Sequence, residues 1–137
     1  MDQFTILNGK KDNLILLKCH NRDFKFIPSN LKNFKILLLN TNVEHNLANT
    51  AYNERVNECN DALKIINEYS DTNHDYLCKV PLKVLNKNRN LLSNKVYNRA
   101  SFVLNENIRT IKSAELLQKN KLSEFGTLMY ESHYGLS

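Results

Sequence analysis

Residues 40–59 read Asn-Thr-Asn-Val-Glu-His-Asn-Leu-Ala-Asn-Thr-Ala-Tyr-Asn-Glu-Arg-Val-Asn-Glu-Cys, a run of short polar side chains leading into charged and apolar ones. An apolar stretch over 35–39 precedes it and an amphipathic pattern follows, so a strand, a polar turn and the start of a helix are expected here. Such a turn gathers backbone N–H groups and short side chains at one point, which suits a phosphate or a sugar. Most strand-to-helix turns of this kind bind nothing, and that reading stays open. Tyr52 falls at the start of the expected helix, where a tyrosine can pack its ring and still offer its hydroxyl to a ligand. Asp2 is a second candidate: a carboxylate can orient an attacking hydroxyl or accept its proton. Beside the first Met it also reads as a terminal residue that frays.

The other polar candidates carry less. His45 and His133 have no carboxylate or cysteine at catalytic or metal-ligand spacing, so a structural histidine is at least as good a reading. Glu106 and Arg109 stand three apart on one expected helix face, as a surface ion pair worth about a few tenths of a kcal/mol. Cys19, Cys59 and Cys78 are odd in number and no Cys-x-x-Cys occurs, which points to reduced thiols in a cytoplasmic protein. The formal charge of +5 would permit contact with nucleic acid or an anionic membrane. The basic residues are scattered among acids, however, with no helix carrying a one-sided stripe, so a solvated surface is expected and no nucleic-acid partner. No apolar run approaches the ~18 residues of a membrane span.

Around these residues the pattern sorts into elements. At 137 residues the chain has one domain's worth of length. Residues 4–8 and 13–19 read as strands joined by a turn-rich linker of the hairpin kind. A short strand over 24–27 stops at Pro28, and 35–40, apolar on both faces, reads as a fourth strand covered on both sides. A helix capped by Asn49 or Thr50 places Tyr52, Val56, Cys59, Leu63 and Ile66 on one buried face. The pattern breaks over 69–75. A short helix over 82–92 follows Pro81, and the longest runs from Asn94 or Lys95 to Asn120 on a stripe of Val96, Ala100, Val103, Ile108, Ile111, Ala114 and Leu117. Ser123 is expected to cap a last helix that ends near His133, with Gly135 as its stop. Strands first and helices after make the fold class α+β.

Three stretches, taken together, carry a family resemblance. Residues 40–59 resemble the Asn-Ser-Asn-Val-Lys-His-x-Leu-Ala-x-Ser-x-Tyr-Asn-x-Arg-x-x-Glu-Cys segment of galactokinases, in the GHMP sugar-kinase superfamily. Met1-Asp2-Gln3-Phe4 is similar to the family's Gly-Ile-Met-Asp-Gln-Phe catalytic segment. Phe125-Gly126-Thr127-Leu128-Met129-Tyr130-Glu131-Ser132-His133 resembles its Phe-Gly-x-Leu-Met-x-Glu-Ser-His. The helix bearing Arg99, Glu106 and Arg109 is similar to a further family helix, with Phe102 where many members have His.

The resemblance implies a piece of the two-lobed GHMP kinase fold, with about 1–45 ending the N-terminal lobe and about 46–137 starting the helical C-terminal lobe. It implies transfer of a phosphoryl group from ATP, with Mg2+, to the anomeric hydroxyl of galactose. Asp2 would be the catalytic carboxylate, as base or as electrostatic positioner, and Tyr52 would contact the sugar. Asn40, Thr41 and Asn42 would lie where nucleotide phosphates and sugar approach. Glu44 stands where the family usually has Lys or Arg, and a carboxylate there repels a triphosphate. The family's sugar-binding signature, its Gly- and Ser-rich phosphate loop and its C-terminal Gly-rich motif have no counterpart here, the only glycines being Gly9, Gly126 and Gly135. The chain therefore reads as an internal piece of a galactokinase, weak or inactive alone, with the missing parts conceivable as a separate chain. A non-catalytic galactokinase-like sugar sensor or partner-binding protein is the alternative.

Overall fold

The strongest local signal becomes the longest element. In the computed structural model, which describes residues 2–31, 34–40, 42 and 50–136, helix α4 runs over Asn94–Gln118. The Ser93 Oγ accepts a hydrogen bond from the Val96 N–H at 3.3 Å, which satisfies one of the amides that a helix start leaves unpaired. The other helices are α1 (Asp2–Asn8), α2 (Thr50–Tyr69), α3 (Leu82–Lys87) and α5 (Leu122–Leu136), with two 3-10 turns at Leu77–Lys79 and Arg89–Leu91. A two-stranded antiparallel sheet, β1 (Asn13–Leu17) and β2 (Phe24–Pro28), pairs Asn13 with Pro28 and Leu17 with Phe24. The chain is thus mostly helical with an early β-hairpin, as the α+β expectation had it.

Two units each have their own core. The unit Asn40–Asn107 closes around Ala62, Ile66, Leu77, Val80, Leu85, Leu92, Ala100 and Leu104, with Ala62, Ile66, Leu85 and Ala100 fully buried. Methyl side chains at Ala62 and Ala100 add little bulk where α2 and α4 share this core. The other unit, Met1–Leu39 with Ile108–Ser137, packs Ile27 of the hairpin on Ala114 and Leu117, with Leu16, Leu122 and Phe125 around them.

Several local expectations change. Residues 4–8 lie in α1, not in a strand: five residues are too few to separate a period of 2 from one of 3.6. The Asn8 side chain donates to the Phe4 carbonyl at 3.0 Å, within the helix. At Gly9 an added Cβ would lie 2.8 Å from the Thr5 carbonyl oxygen, so Asn8-Gly9 ends a helix rather than turning a hairpin. The hairpin turn falls instead at residues 18–23, where Lys18 and Asp23 close it at 2.8 Å and Arg22 takes the left-handed region at φ 64°. Residues 34–40 form no strand, and Ile36, Leu37, Leu38 and Leu39 are 78–88% exposed rather than covered. A strand needs a neighbour for its N–H and C=O groups, and the sheet among the described residues holds only β1 and β2.

The helices follow their patterns more closely. Gly135 lies inside α5 rather than stopping it, and Ser123 lies in its first turn rather than capping it. The expected helix over 82–92 is α3 followed by a 3-10 turn, with Asn88, 6% exposed, at the junction; its side chain donates to the Val84 carbonyl and to the Ser70 hydroxyl. Ile108 and Ile111 of the α4 stripe stay half exposed.

Truncating Ile66 to Ala should cost about 2–5 kcal/mol, because it removes a fully buried side chain and leaves a cavity. The same change at Ile36, 83% exposed, should stay within about 0.5 kcal/mol. Urea unfolding of both variants measures the contrast.

Candidate active site

Asp2 is the first residue of α1, where a carboxylate lies favourably against the positive end of the peptide dipoles. Its side chain is exposed, and among the described residues no ion pair engages it. The short helix holds its place through Phe4, whose ring meets Phe24 of β2 edge-on at 5.2 Å. Phe24 in turn meets Phe26 at 5.4 Å, so the hairpin gives α1 an aromatic seat.

Tyr52 lies in the first turn of α2 and is 69% exposed. It is not packed in the buried stripe: the face it shares with Val56, itself 41% exposed, closes only from Cys59 onward through Ala62, Leu63 and Ile66. Most of the tyrosine therefore stays open to solvent. Asn40 and Asn42 are both exposed and tied to each other, the Asn40 Oδ1 accepting from the Asn42 N–H at 2.9 Å. Asn42 takes φ 53°, a conformation asparagine tolerates. This local turn uses one of the amides that an anion would otherwise meet. Thr41, Glu44 and His45 lie outside the described residues. Asp2 belongs to one unit, and Asn40, Asn42 and Tyr52 belong to the other.

The most developed polar cluster was missed as a unit by sequence reasoning. Glu58 of α2 is 8% exposed. Its Oε1 takes the Lys95 ammonium at 2.6 Å, and its Oε2 takes the Arg99 Nε at 3.2 Å, both from α4. Lys95 also approaches Glu54 at 4.0 Å. The hydrogen bond from Lys95 is the chief reason the Glu58 carboxyl is held below its ordinary range, against an opposing push from burial. The same bond raises Lys95. Next to it, burial pushes the Cys59 thiol up, with the Glu58 charge adding to the shift, so this sulfur is a poor nucleophile. A signal for the cluster existed: Glu58 shares the i, i+4, i+8 row with the fully buried Ala62 and Ile66, and a carboxylate on that row needs a cation.

Elsewhere, Arg109 meets Glu131 of α5 at 3.4 Å. His133 lies edge-on to Tyr134 at 5.5 Å. Among the described residues no group of three His, Cys, Asp or Glu could hold a metal ion, and no helix is long and apolar enough to cross a membrane.

No family model matches the chain. A galactokinase of Clostridium tetani is 43% identical over 137 residues, 99% of this chain and 34% of that protein. One of Fusobacterium nucleatum is 36% identical over 99% of this chain and 35% of its own length. The crystal structure of Lactococcus lactis galactokinase complexed with galactose matches with a TM-score of 0.87 at 29% identity, covering 98% of this chain and 34% of that one. In fold and in sequence the chain is similar to a part of these galactokinases, and it spans about a third of the length of the curated relatives it matches.

Two measurements bear on the cluster. A carboxyl held low in the folded state adds stability above its unfolded pKa, and that stability is lost as pH falls through the lowered folded value. Replacing Glu58 with Gln should therefore lower the urea midpoint at pH 7, and the gap to the unaltered chain should close as pH drops below about 4.5. Thiol labelling with a disulfide reagent at pH 8 should modify exposed Cys19 well before Cys59.

Proposed function

We propose that this chain serves galactokinase chemistry, the transfer of the terminal phosphoryl group of ATP to the anomeric hydroxyl of galactose. The observation that carries the reading is the match to galactokinases over essentially its whole length. Asp2 is the catalytic carboxylate, orienting the sugar hydroxyl or taking its proton; its exposed place at the head of α1 supports that role. Tyr52 contacts the sugar, and its exposed place on α2 supports that role. Asn40, Thr41 and Asn42 lie at the approach of sugar and phosphates. ATP and magnesium are co-substrate and ion of the whole kinase, and no residue described here is given the task of binding them. The lobe assignment, about 1–45 and about 46–137, and a cytoplasmic location belong to the same proposal.

Phosphoryl transfer draws most of its rate from positioning and charge stabilisation, so a chain without a phosphate cradle among its described residues turns over slowly or not at all. That same feature favours a second reading, galactose binding without turnover, in a sensor or partner-binding protein.

Galactose-dependent ADP release, measured with ATP and Mg2+, separates these. The expected result for the chain alone is a rate at or near background, with Asp2→Ala removing any residual turnover and Tyr52→Phe weakening galactose binding. Robust turnover that survives Asp2→Ala would overturn the role given to that carboxylate.

A further inference from the structure

At the head of α2, residues 52–57 are all exposed, and among the described residues the first buried side chain of the helix is a carboxylate, that of Glu58. The apolar cluster shared with α4 begins one residue later, at Cys59. An aliphatic anchor is the usual occupant of such a position in an amphipathic helix. Glu58 instead gives each oxygen to a cation of α4, Oε1 to Lys95 at 2.6 Å and Oε2 to Arg99 at 3.2 Å. Lys95 also approaches Glu54, about one turn nearer the start of α2, at 4.0 Å. Among the described residues no other ion pair or side-chain hydrogen bond ties residues 52–58 to a second element. All of these side chains belong to the unit Asn40–Asn107.

Taking a charge out of water is costly even when it is paired, and an apolar side chain of similar volume holds two helices together as well or better. What a paired carboxylate adds is direction: two charge-assisted hydrogen bonds fix an orientation, whereas apolar contact is non-directional. Tyr52 precedes Glu58 by roughly 9 Å along the helix axis, so any turn of the helix head about Glu58 carries the tyrosine with it. We propose that Glu58, Lys95 and Arg99 are positioning residues: their ion cluster sets the rotation and direction of the first turns of α2, and thereby the place from which Tyr52 meets a ligand. Glu54 steadies the same lysine from nearer the helix start. That the ligand is galactose rests on the galactokinase reading; the placement of Tyr52 by the cluster does not.

The test is amide hydrogen exchange, with 3-fluorotyrosine placed at position 52 as a 19F reporter, on the chain and on its Glu58→Met, Lys95→Met and Lys95→Arg variants. Glu58→Met removes the charge but keeps the volume, and it strands no buried cation, since Lys95 and Arg99 both reach solvent. Its urea midpoint should stay at or above that of the unaltered chain, unlike that of Glu58→Gln. Exchange of amides 54–58 should nevertheless speed up at least ~10-fold while amides 60–66 keep their rates, and the 19F line of residue 52 should shift or broaden. Lys95→Met, at a largely exposed position, should loosen the same amides, and Lys95→Arg should restore both their protection and the 19F line. Unchanged exchange over 54–58 in Glu58→Met and Lys95→Met, or an equal acceleration along all of α2, would overturn the proposal, the second because it is the mark of a merely stabilising pair. Galactose titration of the same samples reads the ligand separately. A 19F line of the unaltered chain that ignores galactose refutes the sugar role of Tyr52 alone, and the exchange pattern still decides the positioning.

Discussion

The pairing of α2 with α4 is the constraint on which the larger core depends. Ala62 and Ile66 of α2 and Ala100 and Leu104 of α4 are all buried in that one cluster. The 3-10 turn at Leu77–Lys79, Val80, helix α3 and Leu92 close the remaining sides of that cluster. Close packing of this kind tolerates little change of volume, so the two helices hold each other in one rotation about their axes.

That rotation has a chemical consequence. It turns Glu58 toward Lys95 and Arg99, and the two cations make a nearly buried carboxylate tolerable by giving both its oxygens a charged donor. It also fixes the opposite outcome at the head of α2, where the shared core ends before Val56 and leaves Tyr52 to the outside. One helix thus changes from packing element to presented surface within two turns. The hairpin plays the matching part for Asp2: Phe24, itself braced by Phe26, holds Phe4, and so holds a helix of seven residues that buries no side chain of its own. A short helix is marginal by itself, so its aromatic seat decides whether it forms.

Much of this was legible from residue order. The apolar spacing over 50–69 and 94–118 identified both long helices, since many turns of consistent period leave little ambiguity. The motif around residues 40–59, with Asp2 and the stretch from Phe125 to His133, pointed to galactokinases. Short segments were the failures. Residues 4–8 satisfied two periods at once, and Asn8-Gly9 had the look of a hairpin turn while the actual turn used Arg22 in the left-handed region. The segment over 35–40 was correct as an apolar pattern and wrong as a formed strand, because a pattern describes what a segment needs and not whether a partner is present.

By itself, then, the sequence carried the resemblance to galactokinases and the periods of the long helices, and it named Asp2 and Tyr52 as candidates, because motif identity and helical period are local properties. Tertiary structure alone decided that Glu58, forty-one positions from Arg99, is clamped by it, that Tyr52 faces outward, and that four consecutive apolar residues stand in water. Those facts depend on which surfaces meet, and a meeting of surfaces is set by the packing of whole elements rather than by any residue's own preference.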